Sequence, residues 1–472
     1  MKLALRMDVN VTCMPHGRQA LLRIFFFFNK EFVDMFRSQV MSIALTLPLL
    51  WVASAAAEEP NAWARKNVGD LVKLYRHFHQ HPEVSFNEKE TAARLGDELA
   101  AVGAEVTRNV GGHGVVAILK NGDGPTLMLR TDLDALPVTE QTGLAYASKV
   151  SAKTKTGVSA GVMHACGHDI HITNQIGVAR YLAANKDRWQ GTVMFIGQPA
   201  EERGAGAKAM LGDGLFTRFK KPDFAVALHV DSSSPTGTVG YLAGYALANV
   251  DSVDITVRGR GGHGAYPHTT IDPVVQAARL IVDLQTIVSR EIKPIEPAVI
   301  TVGSIHGGTK HNIIGNECRL QLTVRSYSEK VRQQLLTSIE RKAKAAALSA
   351  GGPEPIVKVS EGTPSLFNDR DLAKRLGPVL ERAVGRENVT KAEPSMGGED
   401  FSRYGKAGVP ILMYRLGAVD AKRLARYRTL GQAPPSLHSP LFYPDAKDAL
   451  RTGITTMSAI ALELLKPPAA AK

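Results

Sequence analysis

The sequence predicts an α/β fold in which a larger, mostly parallel-sheet domain carries an inserted ferredoxin-like α+β (βαββαβ) domain. Three observations point to it. Short apolar runs alternate with helical stretches over the first half of the chain, strand and helix patterns follow the order βαββαβ from about residue 252 to 359, and the first pattern then resumes.

Taken in order, residues 1–57 read as a leader. Twenty uncharged residues, Ser38 to Ala57, have an apolar centre and end in Ala53-Ser-Ala-Ala-Ala57, the small-residue pattern of a signal-peptide cleavage site. Twenty residues also just suffice to span a bilayer, but Pro48 and the small-residue end favour cleavage over a stable membrane anchor. The basic start expected of such a peptide lies far upstream unless Met35 is the true start. Secretion across the inner membrane to the periplasm follows as the expected location.

Helical periodicity spans Trp63 to Phe78 and Thr91 to Val102, and strands are expected at Val115 to Leu119, Thr126 to Thr131, Thr192 to Gln198 and Phe224 to Val230. The larger domain is therefore assigned residues 58–250 and 360–472. The insertion, 251–359, should hold strand Val253 to Arg258, helix Pro273 to Ser289, strands Val299 to Ile305 and Cys318 to Arg325, helix Glu329 to Leu348 and strand Ile356 to Val359. A buried strand from Pro410 to Leu416 and a closing helix from Ala446 to Leu465 complete the chain.

Composition excludes little except disorder and a nucleic-acid role. Of 472 residues 44% are hydrophobic and 22% charged, the balance of a globular protein. The net charge of +12 is scattered, with no Lys/Arg block interleaved with aromatics, so no nucleic-acid partner is expected. Three cysteines cannot build a disulfide framework, and Cys13 lies in the leader, which leaves Cys166 and Cys318.

The chemistry gathers at expected strand ends, where open α/β sheets bind ligands. Asp132 and Asp134 follow one strand, Glu201 and Glu202 another, and His229 ends a third. In His164-Ala-Cys-Gly-His-Asp169, Cys166 and His168 can reach one side of a metal pair from a turn. A lone free cysteine is ordinarily a small buried hydrophobe. One crowded by His164, His168, Asp169 and His171 is better read as a ligand, and thiolate plus imidazole suits Zn, Mn, Co or Ni rather than Mg or Ca.

Glu201 and Glu202 repel each other and need a cation or a proton at the end of an apolar strand. One can bind metal while its neighbour acts as a base, the division of labour that metal-assisted hydrolysis requires. His263 lies in the glycine-rich Gly259 to His268 segment, where an imidazole can donate to a developing oxyanion, although an ordinary flexible turn would look the same. Asn312 and Arg325 are candidates for gripping a substrate carbonyl or carboxylate. His229 and His438 by themselves read equally well as core or loop histidines.

These motifs, together with Arg76 to Thr91, Arg130 to Pro137, Gly308 to Asn312, Gly397-Gly-Glu-Asp-Phe401 and Leu437 to Phe442, give the chain a resemblance from about Leu71 to the closing helix. It resembles the metal-dependent aminoacylase and carboxypeptidase family, in the branch of auxin-conjugate (indoleacetyl-amino-acid) and hippurate hydrolases. The resemblance implies that Cys166, His168, Glu202, His229 and His438 hold two divalent ions, that Glu201 is the general base, that Asp134 supports it, and that His263 polarises the scissile carbonyl, in some relatives across a dimer interface. It also implies a homodimer joined through the inserted domain and a small N-acyl amino acid as substrate.

The wider family has His-x-Asp where this chain has Asp132-Leu-Asp134, so whether Asp132 ligates metal stays open. A Pro expected near Gly315 is missing, and a longer loop, 419–436, precedes His438; both bear on substrate shape. A dipeptidase or carboxypeptidase of the same family is the near alternative. A non-catalytic periplasmic binding protein is the distant one, since fold alone does not fix function.

Overall fold

The computed structural model describes residues 58–153 and 157–467, so the leader and the Ala-rich tail lie outside the described residues. The main sheet has eight strands: β1 (Glu105–Val110), β2 (Gly114–Asn121), β3 (Thr126–Asp132), β4 (Gly191–Gln198), β5 (Phe224–Pro235), β6 (Val239–Tyr241), β11 (Val389–Lys391) and β12 (Ile411–Val419). They lie in the order β1-β2-β4-β3-β5-β12-β6-β11. The four central strands β4, β3, β5 and β12 are parallel, while β1, β2 and β6 pair antiparallel with their inward neighbours.

Parallel strands covered on both faces read as continuous apolar runs, and β3 is buried at all seven positions. Leu127 and Leu129 join the larger core beneath α1 (Pro60–Gln80), α2 (Lys89–Ala101), α3 (His168–Ala184), α6 (Arg370–Val384) and α7 (Ala446–Leu464). Met128 turns to the opposite face, against Met210, Phe401 and Tyr404. Three short helices on that side, Gly206–Gly212, Leu215–Arg218 and Ser402–Lys406, complete the sandwich.

The second sheet holds β7 (Asn249–Arg258), β8 (Ala298–Gly307), β9 (Glu317–Ser326) and β10 (Ile356–Thr363). All pairings are antiparallel, in the order β8-β9-β7-β10, which is the ferredoxin-like arrangement. Alternation along β7 sends Val253, Ile255 and Val257 inward against Leu280 and Leu284 of α4 (Pro273–Thr286) and Leu335 and Ile339 of α5 (Glu329–Ser349). Asp272 starts α4 by accepting from the amides of Val274 and Val275, with Pro273 supplying the fixed φ of the first turn.

The sheet begins two residues before the expected domain boundary and its last strand runs to Thr363 rather than Val359. Two local expectations change. Strand β5 does not end at His229 but continues to Pro235, and the segment 419–436 contains a helix, Ala421–Thr429, started by Asp420. Among the described residues no helix is long and apolar enough to cross a membrane.

Candidate metal centre

The site forms at the carboxyl ends of the central strands, where three backbone oddities set it up. Gly167, at φ +76°, opens α3, and a Cβ there would meet Val230 Cγ2 at 2.6 Å, so the turn that carries Cys166 needs glycine. Ala200, at φ +50°, bends the chain so that Glu201 and Glu202 leave β4 together. His438, at φ +69°, is tied back by its amide to the Ala165 carbonyl at 2.9 Å. Left-handed backbone at non-glycine residues is costly and persists where surroundings hold it.

Two triads of donors result. Cys166, His168 and His229 place one ligand atom each within 4.8 Å of one another, and so do Cys166, Glu202 and His438. Cys166 belongs to both, with Sγ 3.5 Å from His229 Nε2. The sequence expected His168 on a turn; it is instead the first residue of α3.

Both histidines have their tautomer fixed. His168 Nδ1–H donates to the Asp134 carbonyl at 2.7 Å and His229 Nδ1–H to the Val230 carbonyl at 2.8 Å, so each Nε2 is left as an acceptor, that of His229 with the Cys166 thiol 3.5 Å away. His168 Nε2 and Glu202 Oε1 are buried without a hydrogen-bond partner, 3.9 Å apart. Buried polar atoms are ordinarily paired, by protein groups, by water or by an ion. Burial, and then the nearby Glu202 carboxylate, push the Cys166 thiol up to about 12, so only a bound cation would hold it as thiolate at neutral pH. Sulfur, imidazole and carboxylate donors so arranged fit a borderline transition cation.

A third cluster, Asp132, His168 and His171, looks similar but is already committed. Asp132 accepts from Arg130 Nη1 and from His171 Nδ1, each at 2.7 Å, while His171 Nε2 accepts the Val230 amide at 3.0 Å. Asp132 and His171 therefore brace the site. Arg130, 3% exposed, also reaches Glu399 at 3.0 Å, Asp400 at 3.1 Å and Gln198 at 3.1 Å. One guanidinium thus holds three buried carboxylates.

Asp134 does not face the cavity. Its carboxylate accepts the amides of Glu201 (3.1 Å) and Glu202 (3.0 Å) and the Ser85 hydroxyl (2.6 Å), while its carbonyl orients His168. It is a positioning residue for both halves of the site. Glu201 lies within 4.8 Å of Glu399 and Asp400, and burial followed by Glu399, Glu202 and Asp400 drives its pKa well up. A carboxylate so placed takes a proton readily.

A further acid–base cluster pins α3 to α1. His79 pairs with Asp169 at 2.7 Å and with Glu140 at 3.2 Å. Burial alone would lower its pKa, but the two carboxylates win and lift it to about 9. A raised histidine pKa contributes stability below the unfolded value near 6.5 and loses it as pH rises through the folded one. Urea unfolding between pH 6.5 and 9 should therefore show about 3 kcal/mol lost, at 1.36 kcal/mol per unit. His79→Gln should lack that slope; an unchanged slope would assign it elsewhere.

Cys166, Glu201, Glu202, His229 and His438 line a cavity of about 520 Å³. Val250, Ser252, Gly362 and Thr363 of the inserted sheet form its other wall, with Arg325 among them. His263 and Asn312 are not there: His263 is exposed on a two-residue strand that pairs with Ile313–Ile314, Asn312 is exposed in the turn just before that partner, and neither lines this cavity. The sequence singled out neither Arg130 nor His171, Glu399, Asp400 and Arg415 as site residues. An arginine inside the apolar run of β3 was the available signal for the first.

Residues 128–427, well over half of the chain, match the model for peptidase family M20/M25/M40. An N-acetyl-L-cysteine deacetylase of Bacillus subtilis is 38% identical over 71% of this chain and 77% of its own length. The IAA-amino acid hydrolase ILR1-like 2 of Arabidopsis thaliana is 33% identical over 84% of this chain and 86% of its own length. Among solved structures, a dinuclear metal-binding M20 peptidase from Bacillus subtilis aligns with a TM-score of 0.69 at 30% identity, covering 85% of this chain and 99% of that one. Donor triads, twin glutamates and family match converge: the chain belongs to peptidase family M20/M25/M40 and is a metal-dependent hydrolase of amide bonds.

Proposed function

We propose that the chain cleaves the amide bond of small N-acyl amino acids, with Cys166, His168, Glu202, His229 and His438 as ligands to two divalent ions of Mn, Zn, Co or Ni and Glu201 as general base. The observation that carries this reading is Glu201. It stands beside a donor carboxylate, is oriented by the same aspartate, and faces a cavity of about 520 Å³, a size suited to a small ligand. A solute-binding protein has no use for that second carboxylate.

Such ions supply Lewis-acid polarisation of the carbonyl and acidify the attacking water. The chain's residues do the rest. Glu201 accepts the water's proton and returns it to the leaving nitrogen, its raised proton affinity suiting both tasks. Arg325 grips the substrate carboxylate. His263 and Asn312 reach the reacting carbonyl from a second copy, in a homodimer joined through the inserted sheet; their exposure away from the cavity in one chain supports this. Residues 1–57 act as an export leader for a periplasmic enzyme.

The relatives named a deacetylase and an indoleacetyl-amino-acid hydrolase support acyl amino acids as the substrate class. The test is metal analysis of the chain beginning at Glu58, coupled to hydrolysis of benzoyl-glycine, indoleacetyl- and acetyl-amino acids against a panel of plain dipeptides. Two ions per chain and turnover of the acyl amino acids are expected. Cleavage confined to dipeptides would make it a peptidase instead, and a metal-free chain inactive on all of them would overturn the reading.

A further inference from the structure

The cavity holds an arginine for which the chemistry above has no task. Arg415 lies on β12 in register with His229 on β5, so the two side chains leave the same face of the sheet. Leu228 and Tyr414, one residue earlier on each strand, pack into the large core on the opposite face. Arg415 lines the cavity and is only partly exposed. Among the described residues its guanidinium makes no ion pair and no hydrogen bond, though Glu201, Glu202 and Glu399 line the same space.

Arg130 shows what these acids do with an arginine that is theirs: it binds three carboxylates at 2.7 to 3.1 Å. A half-buried guanidinium without an internal acid is a receptor for an external one. Across the cavity, Arg325 uses Nε on Thr323 Oγ1 and Nη1 on the Met396 carbonyl, both neutral acceptors, so its charge is likewise unanswered.

We propose that Arg415 is a specificity-determining residue and that the preferred substrate is a dianionic amide, an amino acid whose acyl group itself ends in a carboxylate. Arg325, on the inserted sheet, meets one carboxylate; Arg415, on the main sheet, meets the other. The scissile bond then lies between the two walls, over the donor triads. The inference rests on the hydrolase reading above and narrows it.

The experiment uses the metal-loaded chain and one matched pair, N-succinyl-alanine and N-butanoyl-alanine, equal in acyl length and differing in one carboxylate. Wild type is expected to favour the succinyl compound in kcat/KM by about a hundredfold, the scale on which a half-desolvated charge pair discriminates. Arg415→Gln should bring the ratio of the two kcat/KM values to about one, whatever it does to either rate, and Arg415→Lys should restore part of it. Metal content is measured on each variant, so that a disturbance of His229 is seen separately. No succinyl preference in wild type, or a ratio unchanged in Arg415→Gln, overturns the inference while turnover of the butanoyl compound leaves the hydrolase reading standing. Turnover of neither compound, with both ions bound, counts against both.

Discussion

Glu201→Gln should leave metal content unchanged and lower kcat by about a thousandfold, within the range by which positioned general acid–base groups contribute. The substitution is close to isosteric and keeps the backbone amide that Asp134 holds at 3.1 Å, so the Ala200 turn and the Glu202 donor stay in place. What disappears is the acceptor for the water's proton and the donor to the leaving nitrogen. Glutamine also removes one charge from a cluster in which Glu399, Glu202 and Asp400 repel it, so the variant should be no less stable to heat. A kcat within tenfold of wild type would remove Glu201 as the base, and lost metal would move it into the ligand set.

Cys166→Ala should cost both ions at once, because Cys166 alone belongs to both triads. Loss of His229 or His438 would deprive one triad each; loss of the sulfur deprives two. Metal bound per chain should fall well below the wild-type value and turnover with it. A second readout separates a ligand from a packing residue. Metal loading must strip the proton from a thiol whose pKa burial and Glu202 raise to about 12, so loading in weak buffer near pH 7 releases that proton into solution. The alanine variant, forced to take metal at high concentration, should release one proton fewer. Full metal occupancy with unchanged proton release would return Cys166 to the role of a small buried hydrophobe.

The centre of the fold was legible because its physics is local. Strands β3, β4 and β5 are covered on both faces and announce themselves as apolar runs, and the inserted sheet, packed on one side, shows the two-residue alternation of β7. Helix α3 was harder: buried nearly all round, it has no polar stripe to set its period, and so His168 passed for a turn residue. Helix α6 went unassigned in the sequence, where Pro378 in its interior argues against a helix despite its apolar stripe.

At the site, Cys166, His168, Glu201 and Glu202 stood out because thiol, imidazole and paired carboxylates crowd into short segments. Arg130 did not, since its acids Glu399 and Asp400 lie 269 and 270 positions away and only folding brings them together. The glycine-rich loop marked His263 as unusual but carries no information about the direction in which it points. The structure places it outside its own chain's cavity.

The two walls of the cavity also differ in what can be changed without harm. Every donor to the triads comes from the main-sheet side, between Cys166 and His438, whereas Arg325, Val250 and Ser252 come from the insertion, which could be redrawn without moving a ligand. Exchanging the insertion would replace the Arg325 wall and the His263 segment while keeping every metal donor and Arg415, so only part of the choice of substrate is inherited apart from the ligands. A protein engineer can graft at the crossings near Asn249 and Thr363.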